Sequence, residues 1–255
     1  MGRSVIYYWD LLSTLVGRDI RLRYRRSVLG ILWSLINPLI SLLIFIFLFQ
    51  GILKVNVPYY PVYVFSGLLA WNWFSASLST ATFILLQSRD LIRKPLFPTE
   101  TLVLVSVSSN LVNYVLALPI LLGLALVSGL HLGVGLLALP LIVLVQFLFT
   151  AGLCFFISVL NVYYRDVEHL VAVVIGIWFY LTPVFYKSGG VERRYAVIFD
   201  ANPMAHLMAG YRAVFLGQSF PALSSLLGVA VVAAIFFVLG FLFFRRYKSD
   251  VVDEI

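Results

Sequence analysis

The sequence predicts an all-α membrane protein: six transmembrane helices, an N-terminal amphipathic interface helix, and short external gate-like helices between spans five and six. Composition is the first reason. Of 255 residues 62% are hydrophobic and 11% charged, with a mean hydropathy of +1.02, whereas a soluble globule is clothed by roughly 25% charged residues. Six apolar stretches are the second reason, at about 28–52, 61–87, 101–128, 136–162, 169–186 and 221–244. The third is the distribution of basic residues. With both termini cytoplasmic, thirteen Lys and Arg fall inside and five (Lys54, Lys187, Arg193, Arg194 and Arg212) outside, the expected bias for an inserted chain. Five or seven spans would spoil it. The whole chain, 1–255, then forms one transmembrane domain, and its formal charge of +7 reports membrane orientation rather than nucleic-acid binding. The single cysteine, Cys154, excludes an intrachain disulfide and reads as a packed thiol.

The first element, residues 1–27, is basic and amphipathic. On a helix Val5, Tyr8, Trp9, Leu12, Leu15 and Val16 share one face, and Arg3, Thr14, Arg18, Arg21 and Arg25 the opposite one. That is the pattern of a helix lying in a membrane interface. Arg18, Arg21, Arg23, Arg25 and Arg26 cluster just before the first apolar run and hold this end in the cytoplasm. No small-residue cleavage site precedes that run, so it is expected to stay in the mature chain.

The loops follow in order. Residues 53–60 and 129–135 are short external turns, but 187–220 holds a helix: Asn202 is a suitable N-cap, Pro203 stands at its first position, and Gly217 can end it. About 13 residues span only about 20 Å, too short to cross. Met204, Leu207, Met208, Tyr211 and Phe215 line one face of it, and the expectation is that this face rims or closes an external opening. Inside, SRDLIRKPLFPTE at 88–100 makes about two helical turns before Pro95 and Pro98 stop it. NVYYRDVEHL at 161–170 crowds Arg165, Asp166, Glu168 and His169 at the start of span five.

What is absent narrows the function. All 11 acidic residues fall in loops or tails, whereas proton- and voltage-driven proteins keep ionisable groups within the membrane to carry the coupling. No glycine is followed by lysine, so there is no phosphate-binding loop of the GxxxxGK[ST] kind. Three scattered histidines, His131, His169 and His206, make no metal-ligand cluster, and nothing places a base beside a nucleophile. The chain is therefore expected not to be an enzyme, and another polypeptide must hydrolyse any nucleotide that drives it.

Polar residues within the spans are neutral. Ser106, Ser109, Asn110 and Asn113 recur at i, i+3, i+4 and i+7 in span three, and Trp71, Ser75, Ser79 and Thr82 form a second stripe in span two beside Trp73 and Phe74. Two wet stripes without charge suit a passenger rich in hydroxyls. Interhelical hydrogen bonding is the competing explanation for both.

RDIRLRYRRSVLGILWSLINP resembles the start of the ABC-2 type permeases that export polysaccharides, through Arg18, Asp19, Arg23, Tyr24, Ser27, Leu29, Gly30, Trp33 and Pro38. Further segments fall in the same order: Gly67 with Trp71, Trp73 and Phe74; Leu91 to Pro98; Asn161 with Arg165 and Asp166; Thr182 to Tyr186; and Asn202 and Pro203 followed by Tyr211 and Arg212. Thr99 and Glu100 depart from a more apolar, proline-containing pattern. The resemblance implies a homodimer in the bacterial plasma membrane with two copies of a separate ATP-binding subunit. ATP and magnesium belong to that subunit, and no cofactor to this chain. It implies coupling through Arg89, Asp90, Leu91, Arg93, Lys94, Phe97, Arg165 and Asp166, and an outer gate at Met204, Leu207, Met208 and Tyr211. A lipid-linked, O-antigen-like polysaccharide would leave the cytoplasm through a channel at the dimer interface, its pyrophosphate met by Arg21, Arg25 or Arg26. Its sugars would pass Trp71, Trp73, Phe74, Ser75, Ser79, Thr82, Ser106, Ser109, Asn110 and Asn113. Teichoic acid export, drug or lipid export, and a passive channel or synthesis scaffold are the alternatives.

Overall fold

The computed structural model describes residues 2–25, 27–94, 97–131, 133–187, 193–217 and 223–254, and among them there is no strand. Five helical segments are long and apolar enough to cross a membrane: Gly30–Ile52, Tyr60–Gln87, Glu100–Val127, Val134–Tyr163 and Ser225–Val252. A sixth apolar helix, Val167–Leu181, is shorter.

The helix α1 (Gly2–Arg23) carries the basic amphipathic stretch. It turns into the first crossing segment where the Gly30 amide donates to Ser27 Oγ (3.1 Å), and Gly30 sits at φ +53°, a conformation that glycine adopts without strain. The segment runs as a short 3₁₀ turn, then α2 (Trp33–Phe45) with Pro38 inside it, then a π-helical turn over Ile46–Ile52. Tyr59, left-handed, and Pro61 start α3 (Tyr60–Gln87). One turn, α4 (Arg89–Ile92), leads to α5 (Glu100–Val127). Next come α6 (Leu139–Tyr163) and α7 (Val167–Leu181). Beyond them are α8 (Arg193–Asp200), α9 (Pro203–Phe215) and α10 (Leu223–Glu254).

Two expected boundaries move. The stretch 169–186 is not one helix: α7 stops at Leu181 because Thr182 precedes Pro183 and is extended, as a residue before proline is pushed to be. The last helix does not end at 244 but runs on through the charged residues to Glu254, where Lys248 pairs with Glu100 at 3.0 Å and ties it to the start of α5. The other described membrane-length helices lie over the remaining apolar stretches. Asn202 caps α9, its Oδ1 accepting from the Met204 amide at 3.0 Å, and Gly217 ends it at φ +65°.

The helix α3 is the hub. Two thirds (67%) of its apolar window is buried, against 11% for the first crossing segment and 17% for α10. The helices α5, α6, α2, α7 and α9 all pack on it. Three cross-helix hydrogen bonds fix these contacts, all to backbone carbonyls: Trp73 Nε1 to Val107 (3.1 Å), Gln146 Nε2 to Ala70 (2.8 Å) and Asn161 Nδ2 to Thr82 (2.8 Å). Such bonds contribute about 0.6–2 kcal/mol each in a membrane. Gln146→Leu is therefore expected to lower the thermal stability of the purified protein by about 1 kcal/mol; an unchanged melting temperature would show the amide bond to be dispensable.

Candidate functional site

At the α1 end of the bundle, Leu12, Leu15 and Val16 dock α1 onto the core, so its C-terminal turn overhangs α5. There the Arg23 guanidinium donates to Asn110 Oδ1 at 2.8 Å and to Asp19 Oδ2 at 3.1 Å, while the Tyr24 hydroxyl donates to Asn113 Oδ1 at 3.4 Å. Asp19 and Arg23 stand one turn apart and are partly exposed, so their pairing adds little stability. Its effect is to aim the guanidinium at α5.

Below this overhang lies a cavity of about 560 Å³. The first crossing segment supplies Ser34, Asn37 and Ser41; α3 supplies Asn72, Ser75 and Ser79; α5 supplies Asn110 and Asn113. Trp33, Trp73 and Tyr114 add aromatic surface, and Ala172 and Ile175 of α7 close one side. Arg23 is the one charged residue in this lining. Carboxamides and hydroxyls with flat aromatic faces can hydrogen-bond and stack a neutral polyhydroxylated chain, and none would hold it by charge.

Of the expected path, Trp73, Ser75, Ser79, Asn110 and Asn113 meet at this cavity. The other five do not. Trp71 and Phe74 pack in an aromatic cluster with Phe149, Trp178 and Phe179. Thr82 and Ser106 are buried between helices, each hydroxyl donating to a carbonyl three residues back in its own helix, and Ser109 is buried on the same helix. A short hydroxyl can satisfy itself on its own helix and so tolerates a packed face. Arg23, Tyr24, Asn37 and Asn72 also line the cavity and were not among the expected path residues. The asparagines were the available signal, since an amide side chain carries two donors and an acceptor that one helix rarely satisfies.

Among the expected pyrophosphate ligands, Arg26 lies outside the described residues, and Arg21 and Arg25 are exposed. Neither Arg21 nor Arg25 lines the cavity; Arg23 does.

The residues expected to couple to an ATP-binding subunit gather at the same end. Arg89, Asp90, Arg93 and Lys94 are exposed, Leu91 and Phe97 are half-buried, and Arg165 and Asp166 are exposed in the turn between α6 and α7. Asp90 and Leu91 share a small cleft with Arg18 and Asp19 of α1, and Lys94 and Phe97 share another with Tyr8, Glu100 and Lys248. The ring of Tyr163 lies 6.4 Å from Tyr247 of α10, which brings the α6–α7 turn to this surface too.

At the opposite end the expected gate face is buried. Met204, Leu207, Met208 and Tyr211 are all within the subunit, where α9 packs on α3, α6 and α10; within the subunit they do not rim an opening. The next residue, Arg212, is also buried. Its guanidinium donates to the carbonyls of Pro183 (2.5 Å), Val184 (2.7 Å) and Tyr63 (3.5 Å) and lies 3.6 Å above the Tyr63 ring. Gly67 leaves room for it: a Cβ there would stand 3.2 Å from the guanidinium and 3.1 Å from the Val184 carbonyl. Burial lowers the Arg212 pKa to about 10, offset in part by the Tyr63 hydroxyl, and the group stays charged at neutral pH. The hydroxyls of Tyr60 and Tyr63 reach the carbonyls of Phe185 and Tyr186 at 3.1 and 2.7 Å. Asn202 Nδ2 donates to Thr182 Oγ1 at 3.0 Å. The carbonyls of Pro183, Val184, Phe185 and Tyr186, non-helical beside apolar helices, are thus satisfied by side chains, and that of Thr182 by the Val184 amide, as backbone within a membrane requires.

Membrane-length helices arranged round a polar cavity lined mainly by amides and hydroxyls define a multi-pass membrane protein of the permease type. Residues 10–216 match the ABC-2 type transporter family, and the chain belongs to it. It is 33% identical, over 99% of its length and 98% of the relative's, to the O-antigen export system permease protein RfbA of Myxococcus xanthus. It is 30% and 31% identical to two proteins of the same name from Klebsiella pneumoniae, over 85% of this chain and 84% of each of them.

Proposed function

We propose that this chain is the transmembrane subunit of an ATP-driven exporter. The exporter moves a lipid-linked, O-antigen-like polysaccharide out of the cytoplasm across the bacterial plasma membrane. The working unit is a homodimer with two copies of an ATP-binding subunit, and the channel lies where the copies meet. The observation that carries this reading is the amide- and hydroxyl-lined cavity under the end of α1, in a chain similar along its whole length to an O-antigen export permease. A drug or lipid exporter would favour an apolar lining instead.

The α1 end is placed in the cytoplasm, as the basic residues before residue 28 favour, and α7 is taken as the fifth of six crossings. Its 15 residues cover about 22 Å, and the extended stretch to Tyr186 completes the distance. Pyrophosphate arriving at the interface meets the basic residues at the end of α1, with exposed Arg25 outside and Arg23 at the cavity mouth. The sugars follow Asn110, Asn113, Ser75 and Ser79. The outer faces of the first crossing segment and α7, which carry exposed Leu43, Phe47, Val173 and Ile177, are where the second copy sits. The helix α9 acts as an outer gate only if it moves as a body, because its apolar side is packed.

Exposed Arg89, Asp90 and Lys94 beside α1 form the docking surface for the ATP-binding subunit. Deleting residues 89–94 is expected to stop export of the surface polysaccharide, more than tenfold by immunoblot of the cell surface, with loss of the copurifying ATPase. Arg89→Glu should weaken both. A passive channel or scaffold would keep working after either change, and that result would overturn the proposal.

A further inference from the structure

The helix α5 separates two openings of opposite character. Asn110 and Asn113 face the polar cavity; Ser108, Leu111, Val112 and Val115 wall an apolar groove of about 610 Å³. Helical spacing places these two sets on opposite sides of α5. The facing wall of the groove is α1, through Trp9, Leu12, Val16 and Gly17, and Phe147 of α6 lies behind. Its only side-chain polar groups besides the Trp9 indole are the hydroxyls of Ser13 and Ser108, and Ser13 is already bonded to the Asp10 carbonyl at 3.0 Å. Trp9 and Val115 are 69% and 50% exposed on its rim.

A cation stands beside the α1 wall, next to Gly17 and outside the lining itself. The Arg21 guanidinium folds back over Gly17, its nitrogens 3.7 and 3.9 Å from where a Cβ on Gly17 would be. Arg21 has no ion pair among the described residues. A bilayer supplies a molecule with both features, an apolar chain joined to an anionic phosphate, and basic residues at its surface favour anionic headgroups.

We propose that the groove between α1 and α5 binds one anionic phospholipid, an acyl chain between the helices and the phosphate on Arg21. The exported lipid carrier is not its occupant, because the groove and the polar cavity lie on opposite faces of α5. A lipid seated there holds α1 against α5 and so keeps Arg23 within reach of Asn110. The site stands whether or not the cargo is a polysaccharide.

The test is native mass spectrometry of the full-length protein, delipidated in detergent and titrated with phosphatidylglycerol or with phosphatidylcholine of the same acyl chains. Phosphatidylglycerol is expected to bind about five- to tenfold more tightly, as one cation at a membrane surface allows. Arg21→Gln should erase that preference while some binding of both lipids remains. Val115→Trp, which fills the groove from its exposed rim, should remove binding of both. Leu116→Trp on the same wall serves if Val115→Trp is not monodisperse. Equal affinity for the two lipids in the unmodified protein, or full binding after the groove is filled, would overturn the site. Tighter binding of a polyprenyl phosphate than of phosphatidylglycerol, lost on filling the groove, would give it to the export substrate instead and overturn it as well.

Discussion

Gly152→Leu and Gly240→Leu are each expected to leave almost no monodisperse subunit after extraction from the membrane. The helices α6 and α10 form the most extensive pairing in the chain, and they touch backbone to backbone at these two glycines. A Cβ on Gly152 would stand 2.5 Å from the Phe236 carbonyl carbon and 2.6 Å from the Phe237 nitrogen, and one on Gly240 would overlap the Gly152 carbonyl. Main chain cannot turn aside as a flexible side chain can, so the helix axes must separate. Small residues permit such approach in membranes, where van der Waals contact rather than water exclusion drives association. Separation also parts the flanking rings, Phe149 from Phe236, Phe155 from Phe237 and Phe241, and Phe156 from Phe243, now 5.1–6.0 Å apart. Each ring pair contributes about 0.5–1.5 kcal/mol beyond its area, and overpacking itself costs about 1–3 kcal/mol. Together these approach the whole stability of an ordinary domain. Gly123→Leu and Gly228→Leu are the controls: nothing lies within 4 Å of a Cβ at either position, and both should elute as the unmodified protein does. If Gly152→Leu elutes equally well, the helices do not cross this closely.

The contrast between those glycines shows where sequence reading reaches its limit. Chain periodicity and local chemistry predict the spans, the α1 faces, and the start and end of α9 from Asn202, Pro203 and Gly217, because each depends on neighbours within a turn or two. Which glycine marks a crossing depends on a partner more than 80 residues away, and Gly152 looks no different from Gly123 along the chain. The polar stripes divided for a related reason. Ser106 and Asn110 share a stripe in span three, yet the hydroxyl satisfies itself on the Val103 carbonyl while the amide reaches Arg23 and the cavity. Weighting amides above hydroxyls would have picked Asn37, Asn72, Asn110 and Asn113 from the sequence, together with Gln146 and Asn161, which bond between helices instead. The early stop of α7 was also readable, in Thr182 before Pro183. Arg212 was not. Counted as one of five external cations, it is a buried strut, and nothing local distinguishes it from a solvated arginine.

Arg212→Met should release residues 182–186 from the bundle. The arginine is the sole charged group among the side-chain contacts that hold this segment, and its donors cannot be replaced by their neighbours: Tyr60, Tyr63 and Asn202 are already committed to Phe185, Tyr186 and Thr182. Two costs oppose each other. Removing the guanidinium relieves the desolvation of a buried charge, worth several kcal/mol, but it strands the carbonyls of Pro183 and Val184, at about 1–3 kcal/mol each, and forfeits the stacking on Tyr63, up to about 2 kcal/mol when desolvated. The second set prevails because the relief is already discounted: three carbonyls and a ring face solvate the cation where it lies. Lysine keeps the charge but not the planar fork that reaches two carbonyls at once, so the expected order of folded yield is Arg, then Lys, then Met, with Met down about tenfold. Cys154 is the only cysteine and is buried, so a second cysteine reports cleanly. In the Val184→Cys background, where that position is fully buried, a maleimide should react slowly with the Arg212 protein and rapidly once Arg212 is Met. Equal labelling in both would mean that α7 holds its outer end without the arginine, and that the carbonyls of Pro183 and Val184 find other donors.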